Sequence, residues 1–325
     1  MKVLLAHTPE MRRNYYGDRS LNGLRAIADV TLHEGDQALD SAGLVNAAKD
    51  ADIIVADRMT EGRGEIFVQL PRLRAFVRCA VDIRNVDVDA ASQAGVLVTR
   101  AGPGFVQAVA ELAVGYMVDL SRGVSRATAD YHAGRKPEAR MGRQLGGSTI
   151  GIIGYGSIGR YLAEIAKVMR MEVLVADPYA TVSDGAIKQV SLDELLAASD
   201  YVVCLAIANE QTEKLIGEAA LARMQKHAVF INLSRGNLVD EAALAKALLE
   251  NRIAGAAMDV GRAADQMPTP ELAKLANVVA TPHVGGLTPQ AIEYQSLETV
   301  RQVDAIIKGE APQGAVNSER WTRSQ

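Results

Sequence analysis

Two basic side chains follow apolar runs in the second half of the chain, and together they could perform acid–base chemistry on a small anion. His283 ends the run "NVVATPH" and precedes two glycines, and Arg235 follows the run "AVFINLS". A guanidinium binds a carboxylate through two parallel hydrogen bonds, and an imidazole gives or takes a proton near neutral pH. From the residues alone, a surface arginine and a strand-end histidine bonded to backbone remain open alternatives.

A glycine-rich segment, "TIGIIGYGSIGRYLAEIAK", predicts a dinucleotide-binding loop. It follows an apolar strand and opens a helical pattern, which is the context that the G-x-G-x-x-G spacing requires. The first glycine permits the tight turn, the second lets the backbone approach a pyrophosphate, and the third lets the helix pack on the strand. A tight turn without a ligand is the alternative. The predicted cofactor-binding residues of the loop are Gly154, Tyr155, Gly156, Ser157, Ile158 and Gly159.

Asp177 ends the next apolar run, "MEVLVAD", about twenty residues after the loop, as expected for an acid that binds a ribose. A carboxylate there accepts hydrogen bonds from the adenosine ribose hydroxyls and repels a 2′-phosphate. The sequence therefore favours NAD over NADP. A role for Asp177 as a turn former before Pro178 stays open.

Short apolar runs alternate with helical patterns along the whole chain, which predicts α/β architecture with parallel sheets. One series ends near "VLVTR" and is followed by a segment, residues 106–131, that we predict to be one long helix. A second series begins at "STIGIIG", and the last helical pattern is expected to return to the first domain. Since ligands bind outside the carboxyl ends of parallel strands, Arg235 and His283 should face the same crevice as the glycine loop.

Composition narrows the classes of protein. The net charge of −4 is made of interspersed acids and bases, so no nucleic-acid or membrane surface is indicated. The N-terminal apolar run is too short for a signal peptide or a membrane span, and we expect a cytoplasmic protein. Cys79 and Cys204 each lie inside an apolar run, which favours buried, reduced thiols over a disulfide. No metal site is predicted.

Beyond single motifs, the chain resembles the D-isomer-specific 2-hydroxyacid dehydrogenases, a family that includes phosphoglycerate dehydrogenases and glyoxylate/hydroxypyruvate reductases. The glycine loop, Asp177, "NLSRGNLVDEAAL", "GAAMDV" and "TPHVGG" occur in the family's order and spacing. The resemblance implies that Arg235 binds the substrate carboxylate and keto oxygen and that His283 is the acid/base. It also implies that Asp259 contacts the nicotinamide carboxamide and that the cofactor site includes Arg235, His283 and Gly285.

The alternation of strands and helices predicts two doubly wound domains, the second inserted into the first. The family fold matches this arrangement, with a Rossmann NAD domain inserted into a flavodoxin-like substrate domain. We expect residues 1–100 and 287–325 to form the substrate domain and residues 101–286 the NAD-binding domain. A homodimer, NAD as the cofactor and a small 2-oxo or 2-hydroxy acid as the substrate follow from the same resemblance.

Two departures from the family stand out. The glutamate that orients the histidine in the family falls at Ala264 in "DVGRAADQMP". Our hypothesis is that Asp265 substitutes for it as a catalytic residue, in a loop loosened by Gly261. The alternative is that His283 is held by backbone or water.

The loop that binds the substrate carboxylate in the family reads "AVDIR" here. It predicts backbone binding at Ala80 and Val81, with Asp82 and Arg84 selecting the substrate or pairing locally. Further candidates to hold a distal group, in the segment after the first strand, are Arg12, Arg13, Tyr15 and Tyr16, unless that segment is a solvated loop.

We therefore expect an NAD-dependent 2-hydroxyacid dehydrogenase that works as a 2-oxo acid reductase. Two alternatives remain open. One is a dehydrogenase of another small anion, such as formate or phosphite, because hydride donation without a proton acceptor tolerates the missing glutamate. The other is a non-enzymatic NAD-sensing partner protein.

Overall fold

The chain divides into two units in the computed structural model, which describes residues 1–324, with the backbone alone at residue 265. The first unit consists of Met1–Gly104 and Pro289–Gln325, and the second unit is Phe105–Thr288. The domain boundaries predicted from the sequence lie at residues 101 and 287, and the role predicted for each domain stays a prediction.

The first unit alternates strands and helices. Its elements up to residue 104 are β1 (Lys2–Leu5), α1 (Pro9–Tyr15), α2 (Asp18–Ile27), β2 (Asp29–Leu32), α3 (Ser41–Ala47), β3 (Ile53–Ala56), α4 (Gly64–Gln69), β4 (Ala75–Arg78), α5 (Val88–Gln93) and β5 (Leu97–Arg100). All neighbouring strands are parallel, in the order β2-β1-β3-β4-β5 of flavodoxin-like domains. Strands β3 and β4 are buried at every residue because helices cover both faces of the sheet.

The second unit is a larger sheet of the same kind. Its elements are α6 (Val106–Arg122), α7 (Val124–His132), β6 (Thr149–Ile153), α8 (Ser157–Val168), β7 (Glu172–Ala176), β8 (Ile187–Gln189), α9 (Leu192–Ala198), β9 (Tyr201–Cys204), α10 (Glu218–Arg223), β10 (Val229–Asn232), α11 (Glu241–Leu249), β11 (Gly255–Met258), α12 (Pro270–Ala273) and β12 (Val278–Ala280). The seven strands are parallel, in the order β12-β11-β10-β9-β6-β7-β8. The strand order reverses between β6 and β9, where dinucleotides bind in Rossmann folds. The predicted fold class is confirmed.

The prediction of one helix over residues 106–131 is wrong. Gly123 adopts φ 64°, ψ 39°, a left-handed conformation that ends α6 and starts α7. A left-handed residue cannot continue a right-handed helix, and glycine adopts it without the steric cost of a Cβ. The Gly123 N–H still satisfies a helix carbonyl by donating to Asp119 O at 2.6 Å.

The last helix, α13 (Pro289–Ile307), belongs to the first unit, where it packs on α2 and β4. Two buried hydroxyl pairs fix its position: Ser20 Oγ with Ser296 Oγ at 2.7 Å, and the Tyr16 hydroxyl with Thr299 Oγ1 at 2.9 Å. The predicted return of this helix to the first domain is confirmed.

Both cysteines are free and buried, one in each unit, as predicted. Burial raises the pKa of the Cys79 thiol and of the Cys204 thiol to about 12. A thiol in an apolar interior therefore stays protonated and unreactive at neutral pH.

Candidate active site

The glycine loop joins β6 to α8, as the sequence predicts. Gly154 has φ 97°, and a Cβ on it would lie 2.7 Å from Leu205 C and O. A Cβ on Gly159 would lie 2.2 Å from Gly154 O, so helix and strand pack at backbone distance. At Gly156, by contrast, a Cβ would meet no atom within 4 Å, and no side chain caps the start of α8. Open space beside uncapped helix N–H groups suits a pyrophosphate, and the residues fit the predicted dinucleotide.

Two side chains of the loop region have defined surroundings. The Asp177 carboxylate accepts hydrogen bonds from the N–H groups of Tyr155 (2.7 Å), Tyr179 (2.8 Å) and Ala180 (3.1 Å). It thereby ties the end of β7 to the glycine loop. Arg160, which the sequence reading missed, lies over the Tyr155 ring at 4.4 Å and adds positive charge to the first turn of α8. The predicted contact of Asp177 with a ribose stays a prediction.

The turn that contains His283 is held by one buried carboxylate. Asp259, 2% exposed, follows β11 and accepts hydrogen bonds from the N–H groups of Val284 and Gly285, both at 2.7 Å. It also accepts from the Thr281 hydroxyl, which in turn bonds to the Tyr116 hydroxyl. The contact between Asp259 and the nicotinamide stays a prediction, and the structure gives this carboxylate a role in positioning the turn.

His283 itself has a strained backbone. Its φ is 56°, in the left-handed region that few residues other than glycine adopt, and its N–H donates to Thr281 O at 3.0 Å. Such conformations persist where surrounding bonds impose them, and they cluster at functional sites. The carboxylate of Asp259 supplies those bonds here.

Arg235 follows β10, and its backbone is fixed on both sides. The Asn232 side chain donates to Arg235 O at 3.0 Å and accepts from Ser234 N at 3.1 Å. A Cβ on the next residue, Gly236, would lie 2.2 Å from the backbone of Gly261. Since β10, β11 and β12 are neighbours, the half-buried Arg235 leaves the same sheet edge as Asp259 and the His283 turn.

The loop of residues 261–267 is tightly packed, so the expectation that Gly261 loosens it is wrong. A Cβ on Gly261 would lie 2.5 Å from the backbone of Pro268, and Gly261 N–H donates to Gln266 O at 2.8 Å. Ala264, at the family's glutamate position, is exposed and starts a short 3-10 turn. The side chain of Asp265 lies outside the described part of the chain, and its role as partner of His283 stays a hypothesis.

The predicted substrate loop follows β4 in the first unit. Ala80 and Val81 are half-buried, and within the described residues their N–H groups donate no hydrogen bond. Asp82 and Arg84 form the local pair considered from the sequence: Arg84 Nε lies 3.0 and 3.1 Å from the two Asp82 oxygens. In the same unit, Arg12 Nη2 donates to Glu34 Oε2 at 2.9 Å, and the buried Tyr16 hydroxyl bonds to Thr299 Oγ1. Both side chains are therefore hydrogen-bonded within the protein.

A buried polar cluster that was not predicted from the sequence lies at the ends of β1, β3 and β4. His7, Asp57 and Arg78 are 1%, 3% and 0% exposed. Burial lowers the pKa of His7 to about 4 and that of Arg78 to about 10. A signal was available for two of the three, because His7 and Asp57 each end an apolar run, as His283 does, whereas Arg78 lies inside the run "AFVRCAV".

Among the described residues, no group of three histidines, cysteines or acids is placed to hold a metal ion. None of their helices combines the length and apolarity needed to cross a bilayer.

Residues 114–285 match the family description "D-isomer specific 2-hydroxyacid dehydrogenase, NAD binding domain". The match lies inside the second unit and includes the glycine loop, Arg235, Asp259 and His283. The chain belongs to the D-isomer-specific 2-hydroxyacid dehydrogenase family. The predicted family, its class of NAD-dependent oxidoreductase and NAD as cofactor are thereby confirmed.

Individual relatives differ in length. The chain is similar to D-3-phosphoglycerate dehydrogenase of Methanocaldococcus jannaschii, 31% identical over 91% of this chain but only 57% of that protein. Glyoxylate reductase of Pyrococcus furiosus is 32% identical over 93% of both chains. The solved structure of a D-2-hydroxyisocaproate dehydrogenase superposes with a TM-score of 0.86 at 25% identity, covering 98% of this chain and all of that one.

Proposed function

We propose that this protein interconverts a 2-oxo acid and a D-2-hydroxy acid with NAD, working as a reductase. The observation that carries the proposal is the common sheet edge of Arg235 and His283, with the histidine turn imposed by buried Asp259. A cation beside an acid/base is what reduction of a keto acid needs, because negative charge grows on the keto oxygen.

Each unit has a proposed part. The second unit would bind the cofactor, with the pyrophosphate at Gly156 and the ribose at Asp177. When bound, NADH supplies the hydride. The first unit would be the substrate domain, with the carboxylate of the substrate on the N–H groups of Ala80 and Val81. We further propose a cytoplasmic homodimer, and sedimentation of the purified protein tests the dimer.

Arg235 and His283 would carry the chemistry. The guanidinium fork holds the carboxylate and keto oxygen in one plane, which fixes the face that is reduced. The imidazolium of His283 donates its proton to the keto oxygen, and the neutral ring takes the hydroxyl proton in the reverse direction. The left-handed backbone at His283 sets the direction in which the ring leaves the turn.

Asp265 is proposed as the carboxylate that orients His283. A carboxylate next to an imidazolium favours the protonated ring. In Asp265→Ala, the pH above which keto-acid reduction declines should therefore fall, whereas Ala264→Gly should leave the pH profile as it is. An Asp265→Ala profile that overlays the wild type would leave His283 with backbone or water as its support.

The proposal is tested by NADH oxidation with a panel of 2-oxo acids, and by NAD reduction with formate and phosphite. We expect turnover of at least one 2-oxo acid, with Arg235→Lys about a hundredfold slower because a lysine lacks the fork. Turnover of formate or phosphite alone would identify a dehydrogenase of another anion. NADH binding without any turnover would indicate an NAD sensor.

A further inference from the structure

Three neighbouring strand ends in the first unit bring His7, Asp57 and Arg78 together. Ala6 N–H donates to Val55 O at 2.9 Å, and Cys79 N–H donates to Ala56 O at 2.8 Å, so the strands leave the sheet in register. Adjacent strands are about 4.8 Å apart, and this cluster therefore spans about 10 Å. Its edge continues directly into Ala80 and Val81, whose N–H groups are the proposed carboxylate site.

The cluster holds five buried polar atoms without a hydrogen-bond partner among the described residues. They are both ring nitrogens of His7, Oδ2 of Asp57, and Nε and Nη1 of Arg78. The remaining atoms are well used: Asp57 Oδ1 accepts from Met59 N at 2.8 Å and Thr60 N at 2.9 Å, and Arg78 Nη2 donates to Asn85 at 2.8 Å. Buried polar atoms almost always have hydrogen-bond partners. Five such atoms without a partner in one cluster therefore indicate that a bound molecule supplies the missing hydrogen bonds.

The charges of the cluster balance. His7 is uncharged at neutral pH because burial lowers its pKa to about 4. The positive charge of the Arg78 guanidinium is compensated by the negative charge of the Asp57 carboxylate. Two other charges act on the cluster, and each has its own counterion: Arg12 pairs with Glu34, and Asp82 with Arg84. The open atoms therefore offer both donors and acceptors at no net charge.

We propose that the His7–Asp57–Arg78 cluster selects a substrate with an uncharged polar group, such as a hydroxyl, beyond the keto carbon. A hydroxyl donates to Asp57 Oδ2 and accepts from Arg78 or His7, whereas a second carboxylate would face Asp57 and a methyl group would leave these atoms unpaired. The proposal rests on the proposed function and names the substrate class of that site.

The test compares three keto acids that differ in this group: hydroxypyruvate, pyruvate and oxaloacetate. The wild type should have the highest kcat/KM for hydroxypyruvate. Asp57→Asn gives the cluster a net positive charge, so the ratio of hydroxypyruvate to oxaloacetate activity should fall by at least about tenfold. Asp52→Asn is the matched control, because Asp52 precedes the same strand at the opposite edge of the sheet and bonds Lys2 N at 2.8 Å.

The outcomes separate the two proposals. If the wild type reduces none of the 2-oxo acids, the proposed function fails. If the wild type reduces oxaloacetate or pyruvate best, only the inference about the cluster is overturned, and this result needs no variant. The inference is equally overturned if Asp57→Asn binds NADH and turns over substrate with the wild-type ratio.

Discussion

Asp259 in the second unit and Asp57 in the first unit are buried carboxylates whose hydrogen bonding differs. Each is buried and follows a strand at the carboxyl edge of a parallel sheet. Both oxygens of Asp259 accept hydrogen bonds from the His283 turn, whereas Asp57 Oδ2 has no partner within the described residues. The second unit thus holds the His283 turn through a fully bonded carboxylate, whereas the first unit leaves polar atoms of its cluster without a partner among the described residues.

The largest effect on stability should follow from removing the carboxylate of Asp259. In Asp259→Ala, three donors of the His283 turn lose their acceptor, so the unfolding free energy should fall by about 2–4 kcal/mol. A displaced histidine should also slow keto-acid turnover by about a hundredfold. Both are measured by urea unfolding and steady-state kinetics.

Asp240→Ala is the control for that variant. Asp240 caps α11 by accepting from Ala243 N at 3.2 Å, and its loss should cost about 1 kcal/mol without slowing turnover. Equal loss of turnover in both variants would mean that general destabilisation, and not the His283 turn, explains the effect of Asp259.

The His7–Asp57–Arg78 cluster should make the stability of the protein depend on pH, through the protonation of His7. The pKa of His7 falls from 6.5 to about 4 on folding, so below pH 6.5 the unfolded chain binds a proton that the folded chain does not. The unfolding free energy should therefore decline by up to about 3 kcal/mol between pH 6.5 and 4, with no contribution from His7 above this range.

Urea titrations across that pH range check the prediction. His7→Gln should flatten the decline, whereas His33→Gln, a change at a half-buried histidine of the same unit that bonds Gln37 O at 2.8 Å, should keep it. If His7→Gln and the wild type share one slope, protonation of His7 does not oppose folding.

Substitution of Gly156 in the glycine loop should weaken NADH binding without changing the stability of the protein. Gly156→Ala places a Cβ in open space, so stability should change by less than about 0.5 kcal/mol. The Cβ fills the approach to the pyrophosphate, and the Kd for NADH should rise at least about tenfold. Gly185→Ala, also open, should change neither quantity, and unchanged NADH affinity in Gly156→Ala would remove the pyrophosphate from this position.

The smallest effect concerns the hydroxyl behind the His283 turn. Tyr116→Phe removes the bond to Thr281, and should slow turnover a few-fold and cost about 1 kcal/mol. Tyr201→Phe loses a similar bond, to Ser121 Oγ at 2.7 Å, and should cost stability alone. Kinetics and unfolding of the two variants side by side measure the difference.

Much of the architecture was predictable because parallel sheets covered by helices need uninterrupted apolar strands. The apolar runs "TIGIIG", "MEVLVAD", "AVFINLS" and "NVVATPH" of the second series each contain a strand, β6, β7, β10 and β12. The short edge strand β8 was missed because only Ile187 is buried in it, which leaves almost no apolar signal. The segment predicted as a loop after the first strand contains helix α1, whose start signal is recognisable in the sequence, because Thr8 caps the helix and Pro9 begins it.

In the candidate site, only residues that belong to a sequence motif or follow a predicted strand could be predicted from the sequence. Those rules found Arg235, His283 and the glycine loop, but the partners of a carboxylate depend on which strands become neighbours. Asp259 was therefore predicted only to contact the nicotinamide of the cofactor, and its hydrogen bonds to the His283 turn were not predicted. Gly261 was misjudged for the same reason, since its close contact with Gly236 and Pro268 arises from tertiary packing.

The central claim, that His283 on its preformed turn is the acid of keto-acid reduction, is tested most directly by single-turnover kinetics. His283→Ala saturated with NADH is mixed rapidly with the best 2-oxo acid, and NADH absorbance is followed. The account predicts NADH binding within about twofold of the wild type and hydride transfer slower by about 10²–10⁴-fold. Hydride transfer at the wild-type rate would contradict it.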